Sequence, residues 1–262
     1  MCELFAMNSQ LPCNVNFSLG EFAKHGGATD HHEHGWGVAY FEHNDVRLIR
    51  EVDPAAESDH LEFLQSHNYD SKMVLSHIRY ATQGELSLAN TQPFSHEFNG
   101  KKIVFAHNGN LKDFSPKVDG FTPIGETDSE RAFCHIMSCL RREGLETLKD
   151  GFQRLHEIFL DLQCYGPFNC LIGDGNVLIA HGHQRTQKNK KIGPPGLHYL
   201  CRQCLQEDRS MLPIKGLDIS NLLKQEVVLV GSVPLSKEKW RAFEEGETML
   251  IKDGCRIKSL KP

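Results

Sequence analysis

The chain has 262 residues, 39% of them hydrophobic and 24% charged, with a formal net charge of −5. That composition fits a soluble globular protein with a sizeable core, and the net acidity gives no support for nucleic-acid binding, which uses a basic face. No apolar run approaches the ~18 residues of a membrane span, and Glu3 and Asn8 break any signal-like start, so a cytoplasmic protein is expected.

In chain order, the first feature is Cys2. Removing Met1 leaves this residue with a thiol and a free α-amine, groups that titrate near ~8.5 and ~7.7–8.0. One residue then carries a nucleophile and a base, the pairing that amine-activated hydrolases use. A strand is expected from Cys2 to Met7. Ser18 and Glu21 form a capping box ahead of a helix to about Lys24. Asp30-His31-His32-Glu33-His34 invites a metal reading, but neighbouring side chains point different ways, so a solvated loop is expected. Short strands are expected over Gly37 to Glu42, Val46 to Arg50 and Met73 to Arg79, the last ending in His77-Ile78-Arg79-Tyr80-Ala81-Thr82. An arginine at a strand end is well placed to grip a carboxylate in a bidentate fork.

Ile103 to Ala106 reads as a strand running into His107-Asn108-Gly109-Asn110, where Asn-Gly signals a tight hairpin turn. The same pair could supply an amide and a backbone N–H for an oxyanion hole. Thr127 and Glu130 form a second capping box, inside Gly125-Glu126-Thr127-Asp128-Ser129-Glu130. The helix behind it runs to about Arg142, with Gly144 as its stop. Asp128 suits a helix N-terminus and equally a substrate ammonium. Leu145, Leu148, Phe152, Leu155, Phe159 and Leu162 form the stripe of a second long helix. Further strands are expected over Asn169 to Ile172, Val177 to His181, His198 to Cys201, Glu226 to Val230, Thr248 to Ile251 and Cys255 to Lys258. Gln184 to Lys191, with Arg185, Lys188, Lys190 and Lys191, reads as an exposed basic loop, and less readily as a docking surface for an acidic partner.

Nine cysteines make an odd count and no disulfide framework; Cys134, Cys139, Cys164 and Cys170 lie among apolar residues and read as core thiols. Cys201-Arg202-Gln203-Cys204 is a lone C-x-x-C with no second pair at zinc-site spacing, so no metal is expected. No repeat or linker divides the chain, and residues 2–262 are expected to form a single domain. Two mid-chain helices among blocks of short strands suggest a layered α+β protein, with antiparallel sheets and helices outside them.

The ordered set Cys2, Arg79 in H-I-R-Y-A-T, Asn108-Gly109 in H-N-G-N-L and Asp128 in G-E-T-D-S-E resembles the class II glutamine amidotransferases. Gly35-Trp36-Gly37 and Asn90-Thr91-Gln92-Pro93-Phe94 look like that family's intervening motifs. Gln92 stands where related chains often carry histidine, and His34 where aspartate is common. The likeness covers essentially the whole chain and is greatest to short stand-alone, YafJ-like members. It implies an N-terminal-nucleophile (Ntn) hydrolase fold, a four-layer αββα sandwich of two antiparallel sheets. It also implies that Cys2 attacks the γ-carboxamide of glutamine with its α-amine as base, while Asn108 and Gly109 hold the oxyanion. Arg79 would pair with the substrate carboxylate and Asp128 with its ammonium, with Thr82 beside them in the substrate pocket. No cofactor or metal is implied; the partners would be glutamine and a separate ammonia-accepting subunit. Two alternatives stay open: hydrolysis of another γ-glutamyl compound, such as a glutathione-like peptide, and a non-catalytic amino-acid-binding module. Gly231-Ser232-Val233-Pro234-Leu235 with Trp240 resembles the closing strand and turn of the stand-alone members, with packing as its default role.

Overall fold

The computed structural model describes residues 2–14, 26, 33–67, 69–81, 83–187, 189–203 and 225–262. Strands β1 (Glu3–Asn14), β2 (Trp36–Glu42) and β3 (Asp45–Glu51) come first, followed by helix α1 (Asp59–Ser66) and β4 (Asp70–Ile78). Strands β5 (Phe94–Phe98) and β6 (Lys101–Gly109) lead into the long helices α2 (Asp128–Arg142) and α3 (Phe152–Gln163). Next come β7 (Phe168–Gly173), β8 (Leu178–Gly182) and the short pair β9 (Arg185–Thr186) and β10 (Ile192–Gly193). The described chain closes with β11 (His198–Gln203), β12 (Glu226–Gly231), β13 (Arg241–Ala242), β14 (Glu247–Lys252) and β15 (Cys255–Leu260).

Apart from the separate β9-β10 pair, these strands build two stacked antiparallel sheets. The seven-stranded sheet has the order β13-β11-β12-β1-β4-β2-β3 and the six-stranded sheet β15-β14-β8-β7-β6-β5. Side chains alternate across a strand, so a strand buried on both faces reads as a continuous apolar run. In β1, Leu4 and Ala6 join the core between the sheets, while Phe5 and Met7 face outward. In β6, Val104 and Ala106 face the other sheet, and Ile103 and Phe105 meet α2 and α3 through residues such as Phe133 and Phe159. The outer face of the seven-stranded sheet is covered by Leu61 and Leu64 of α1. The architecture is the expected αββα sandwich of α+β class. No helix of the described residues is long and apolar enough to cross a membrane.

Several local expectations change. Helix α2 starts where expected: Thr127 Oγ accepts the Glu130 N–H at 3.2 Å. The Glu130 carboxylate, however, turns to the N–H groups of Ile124 and Gly125 instead of completing the box. The stop at Gly144 is a full Schellman motif, with φ +67, Gly144 N–H on Arg141 O and Leu145 N–H on Leu140 O. Helix α3 begins at Phe152 and not at Leu145, because a Thr147–Asp150 side-chain turn interrupts the chain first. Leu148 still packs into the helix core, which is why the apolar stripe outruns the helix. Helix α1, capped by Ser58 on Leu61 N–H, was not anticipated. The capping box at Ser18 lies outside the described residues.

Buried histidines make stability depend on pH. Burial pushes the imidazoles of His107, His156 and His181 below the ordinary 6.5, so the folded chain holds them neutral. The unfolded chain binds those protons as pH falls through about 6.5, and unfolding is favoured below that value. The urea midpoint is expected to decline steadily from about pH 7 to about pH 5. An unchanged midpoint over that interval would contradict the account.

Candidate active site

Cys2 directly precedes β1, whose pairing with β4 sets Glu3 opposite Ile78 and so brings Cys2 beside Arg79 and Tyr80. The Tyr80 N–H donates to Cys2 Sγ at 3.2 Å, and the thiol lies 3.4 Å from the Tyr80 carbonyl. Burial pushes the thiol up from its ordinary range, and the Tyr80 N–H pulls the other way. At rest it is a protonated thiol, which needs a base to become a nucleophile.

Arg79 is buried, 3% exposed, and burial lowers its pKa. Its guanidinium donates to the carbonyls of Gln83 (3.1 Å), Gly84 (3.3 Å) and Glu85 (3.2 Å). Among the described residues no carboxylate lies within ion-pair distance of it. Its backbone is clamped too: Arg79 N–H donates to Gly35 O, and His34 N–H donates to Arg79 O. His34 Nδ1 accepts the Ala81 N–H at 3.0 Å, and its ring lies 5.2 Å from that of Tyr80. The solvated-loop expectation therefore fails at His34, which braces the site; His31, His32 and Thr82 lie outside the described residues. No group of three metal-ligating side chains occurs among the described residues.

Asn108 and Gly109 are the last residues of β6, paired with Asn169 and Phe168 of β7. The expected Asn-Gly hairpin turn is thus not formed. The glycine is needed for close approach: a Cβ at 109 would lie 1.8 Å from Pro167 O and 2.5 Å from His107 Nε2. Gly109→Ala is expected to cost about 2–3 kcal/mol and to displace the strand end. Urea unfolding checks this, and unaltered stability would contradict it.

Asn108 is buried. Its Nδ2 lies 3.4 Å from Ser232 Oγ, and its Oδ1 has no hydrogen-bond partner among the described residues. Ser232 also accepts the Leu4 N–H at 3.0 Å, so this residue, expected only to pack, ties β1 to Asn108. Asn169 Nδ2 holds the Asn108 carbonyl at 2.9 Å. The Gln92 carboxamide pairs with the His107 backbone, accepting its N–H at 2.6 Å and donating to its carbonyl at 3.2 Å. Gln92 is therefore a buried strap on the strand that presents Asn108. His107 Nδ1 lies 2.8 Å from Ser129 Oγ in the first turn of α2.

Asp128 opens α2, and one of its carboxylate oxygens accepts the Leu111 N–H at 2.6 Å. Asn90 links this region to the Arg79 loop, donating to Glu85 O (3.0 Å) and accepting Glu126 N–H (2.7 Å). Asn169 carried no sequence signal for the site, and Ser232 and Asn90 were legible only as parts of family-like segments, because each acts through side-chain contacts across the fold. A cleft of about 440 Å³ opens at Cys2, lined by Tyr80, Gly109, Asn110, Tyr165 and Ile192 among others. Cys164, expected in the core, is exposed and lines this cleft, whereas Cys134, Cys139 and Cys170 are buried.

A cysteine heading the central strand of one sheet, facing an Asn-Gly strand end of the other, defines an Ntn-hydrolase-type sandwich. The family model of class II glutamine amidotransferases matches residues 1–261, and the chain belongs to that family. A Methanocaldococcus jannaschii protein without assigned function is 36% identical over the whole of this chain and 72% of its own length. The candidate glutamine amidotransferase YafJ of Escherichia coli is 31% identical, covering 98% of this chain and all of its own. The crystal structure of a candidate glutamine amidotransferase from Pseudomonas aeruginosa superposes with a TM-score of 0.71 at 27% identity, covering 98% of this chain and all of that one.

Proposed function

We propose that the protein hydrolyses the γ-carboxamide of glutamine to glutamate and ammonia through a Cys2 thioester. The observation that carries this reading is the buried Arg79 guanidinium beside the Cys2 thiol, without a carboxylate partner among the described residues. A buried cation needs compensation, and the α-carboxylate of an amino acid supplies it. Asp128 takes the α-ammonium, so the two opposite charges orient the γ-carboxamide toward Cys2.

With Met1 removed, the Cys2 α-amine takes the thiol proton as Sγ bonds to the carbonyl carbon of the γ-carboxamide. Asn108 Nδ2 and the Gly109 N–H receive the charge that develops on oxygen. The resulting ammonium returns its proton to the departing nitrogen, the C–N bond breaks, and ammonia leaves the γ-glutamyl thioester. Water then attacks the thioester with the same amine as base, releasing glutamate and restoring the thiol. Ammonia released this way would serve an acceptor on a separate protein subunit.

The test is the intact mass before and after exposure to a glutamine-mimicking diazoketone, with Cys2→Ala as control. Loss of Met1 and a single adduct absent from the control are expected. A processed protein that forms no adduct and releases no ammonia from glutamine would sink the reading.

A further inference from the structure

A buried chain of side chains runs from the Cys2 cleft into the layer beneath α3. Gln163 Nε2 lies 2.7 Å from His181 Nε2, and His181 Nδ1 lies 2.7 Å from Thr248 Oγ. The same hydroxyl lies 2.8 Å from His156 Nδ1. His181 and Thr248 are fully buried and His156 is 5% exposed. Burial lowers both imidazole pKa values, so each ring is neutral and has one donor and one acceptor nitrogen.

One end of the chain settles its direction. The amide nitrogen of Gln163 can only donate, so His181 Nε2 accepts and the His181 Nδ1–H goes to Thr248 Oγ, whose own proton goes to His156 Nδ1. The amide nitrogen of Gln163 is committed, and its carboxamide oxygen is the group's acceptor. Gln163 lines the same cleft as Cys2, Gly109 and Asn110, whereas neither Arg79 nor Asp128 lines it. The cleft thus borders the Cys2 thiol without including either of the groups assigned to the substrate head group.

We propose that Gln163 is a specificity-determining residue whose oriented carboxamide oxygen accepts an N–H hydrogen bond from the leaving nitrogen, selecting amides over esters. This rests on the γ-glutamyl thioester reading above. No atom is transferred to Gln163. As the α-ammonium of Cys2 gives its proton to the departing –NH₂ and the C–N bond breaks, the oxygen holds one of that nitrogen's own N–H groups. An ester leaving group has no such hydrogen. The chain behind Gln163 opposes rotation of its amide, because presenting –NH₂ would break the bond to His181 or reverse every proton behind it.

The experiment compares kcat/KM for glutamine and for glutamate γ-methyl ester in wild type, Gln163→Met and Thr248→Val, with thermal unfolding of each. Gln163→Met keeps the length and removes the oxygen; kcat/KM for glutamine is expected to fall about 10- to 100-fold while the ester changes less than about threefold. Thr248→Val breaks the chain two residues away and is expected to shift selectivity the same way by a smaller factor. The ester activity doubles as the folding control. Equal losses on both substrates, or no loss on glutamine, would overturn the assignment. A wild type that opens neither compound would overturn the thioester reading and this inference with it, whereas turnover of both with unchanged selectivity in the variants overturns this inference alone.

Discussion

Cys2→Ala is expected to abolish glutamine hydrolysis, lowering kcat by about 10⁴-fold or more, because no other group near the site replaces the thiol. Among the described residues the only other cysteine lining the cleft, Cys164, is at the C-cap of α3 and far in sequence from the Tyr80 N–H that holds Sγ. The fold should survive the change. Cys2 is half-buried, and sulfur is a weak hydrogen-bond donor and acceptor toward the Tyr80 backbone, so the loss of stability is expected to stay below about 1 kcal/mol. Ammonia release and thermal unfolding measured side by side check both parts. Residual turnover within tenfold of wild type would remove Cys2 from the mechanism.

Arg79→Met should act on binding instead. In the Cys2→Ala background, where no turnover occurs, the affinity for glutamate is expected to fall about 10²- to 10³-fold. The estimate corresponds to about 3–4 kcal/mol, the loss of two charge-assisted hydrogen bonds to the α-carboxylate. Arg79→Lys keeps the charge but not the planar fork that the carbonyls of residues 83–85 hold in place, and an intermediate affinity is expected. Titration calorimetry with glutamate reads all three proteins. Equal affinities in Arg79→Met and its parent would show that the guanidinium serves the loop alone and would sink the proposed carboxylate grip. Asp128→Asn offers a matched contrast. It removes the charge opposite the ammonium while the side-chain oxygen can still accept the Leu111 N–H, so binding should weaken with little change in stability.

The two substitutions probe groups brought together by sheet pairing and not by proximity along the chain. β1 lies between β4 and β12 in the seven-stranded sheet, so Cys2 meets the end of β4 at Arg79. β6 stacks across from it through Val104 and Ala106, which carries Asn108 toward Ser232 and Leu4. Helix α2 then returns Asp128 to the same end through the Leu111 backbone. Four elements, β1, β4, β6 and α2, thus meet at one end of the sandwich.

Much of this was written locally. Apolar runs with strand chemistry marked most of the two sheets, since strands buried on both faces need apolar residues at successive positions. Gly144 marked the end of α2 because only glycine takes positive φ there without strain, and Thr127 marked its start by satisfying an open N–H. Cys2, Arg79, Asn108, Gly109 and Asp128 were recognisable because the chemistry of each is legible in residue type and order. Other features depended on neighbours distant in sequence. Asn108-Gly109 has the local chemistry of a turn, yet β7 pairing extends it as strand, and Pro167 O then excludes any side chain at 109. Gln92, His34, Asn169 and Ser232 became parts of the site through hydrogen bonds spanning 15 to 124 residues. Hydrophobic alternation and capping act within a few residues and so can be read along the chain. A buried polar side chain is satisfied by whichever partner the packed sheets bring to it, and only the tertiary structure decides which that is.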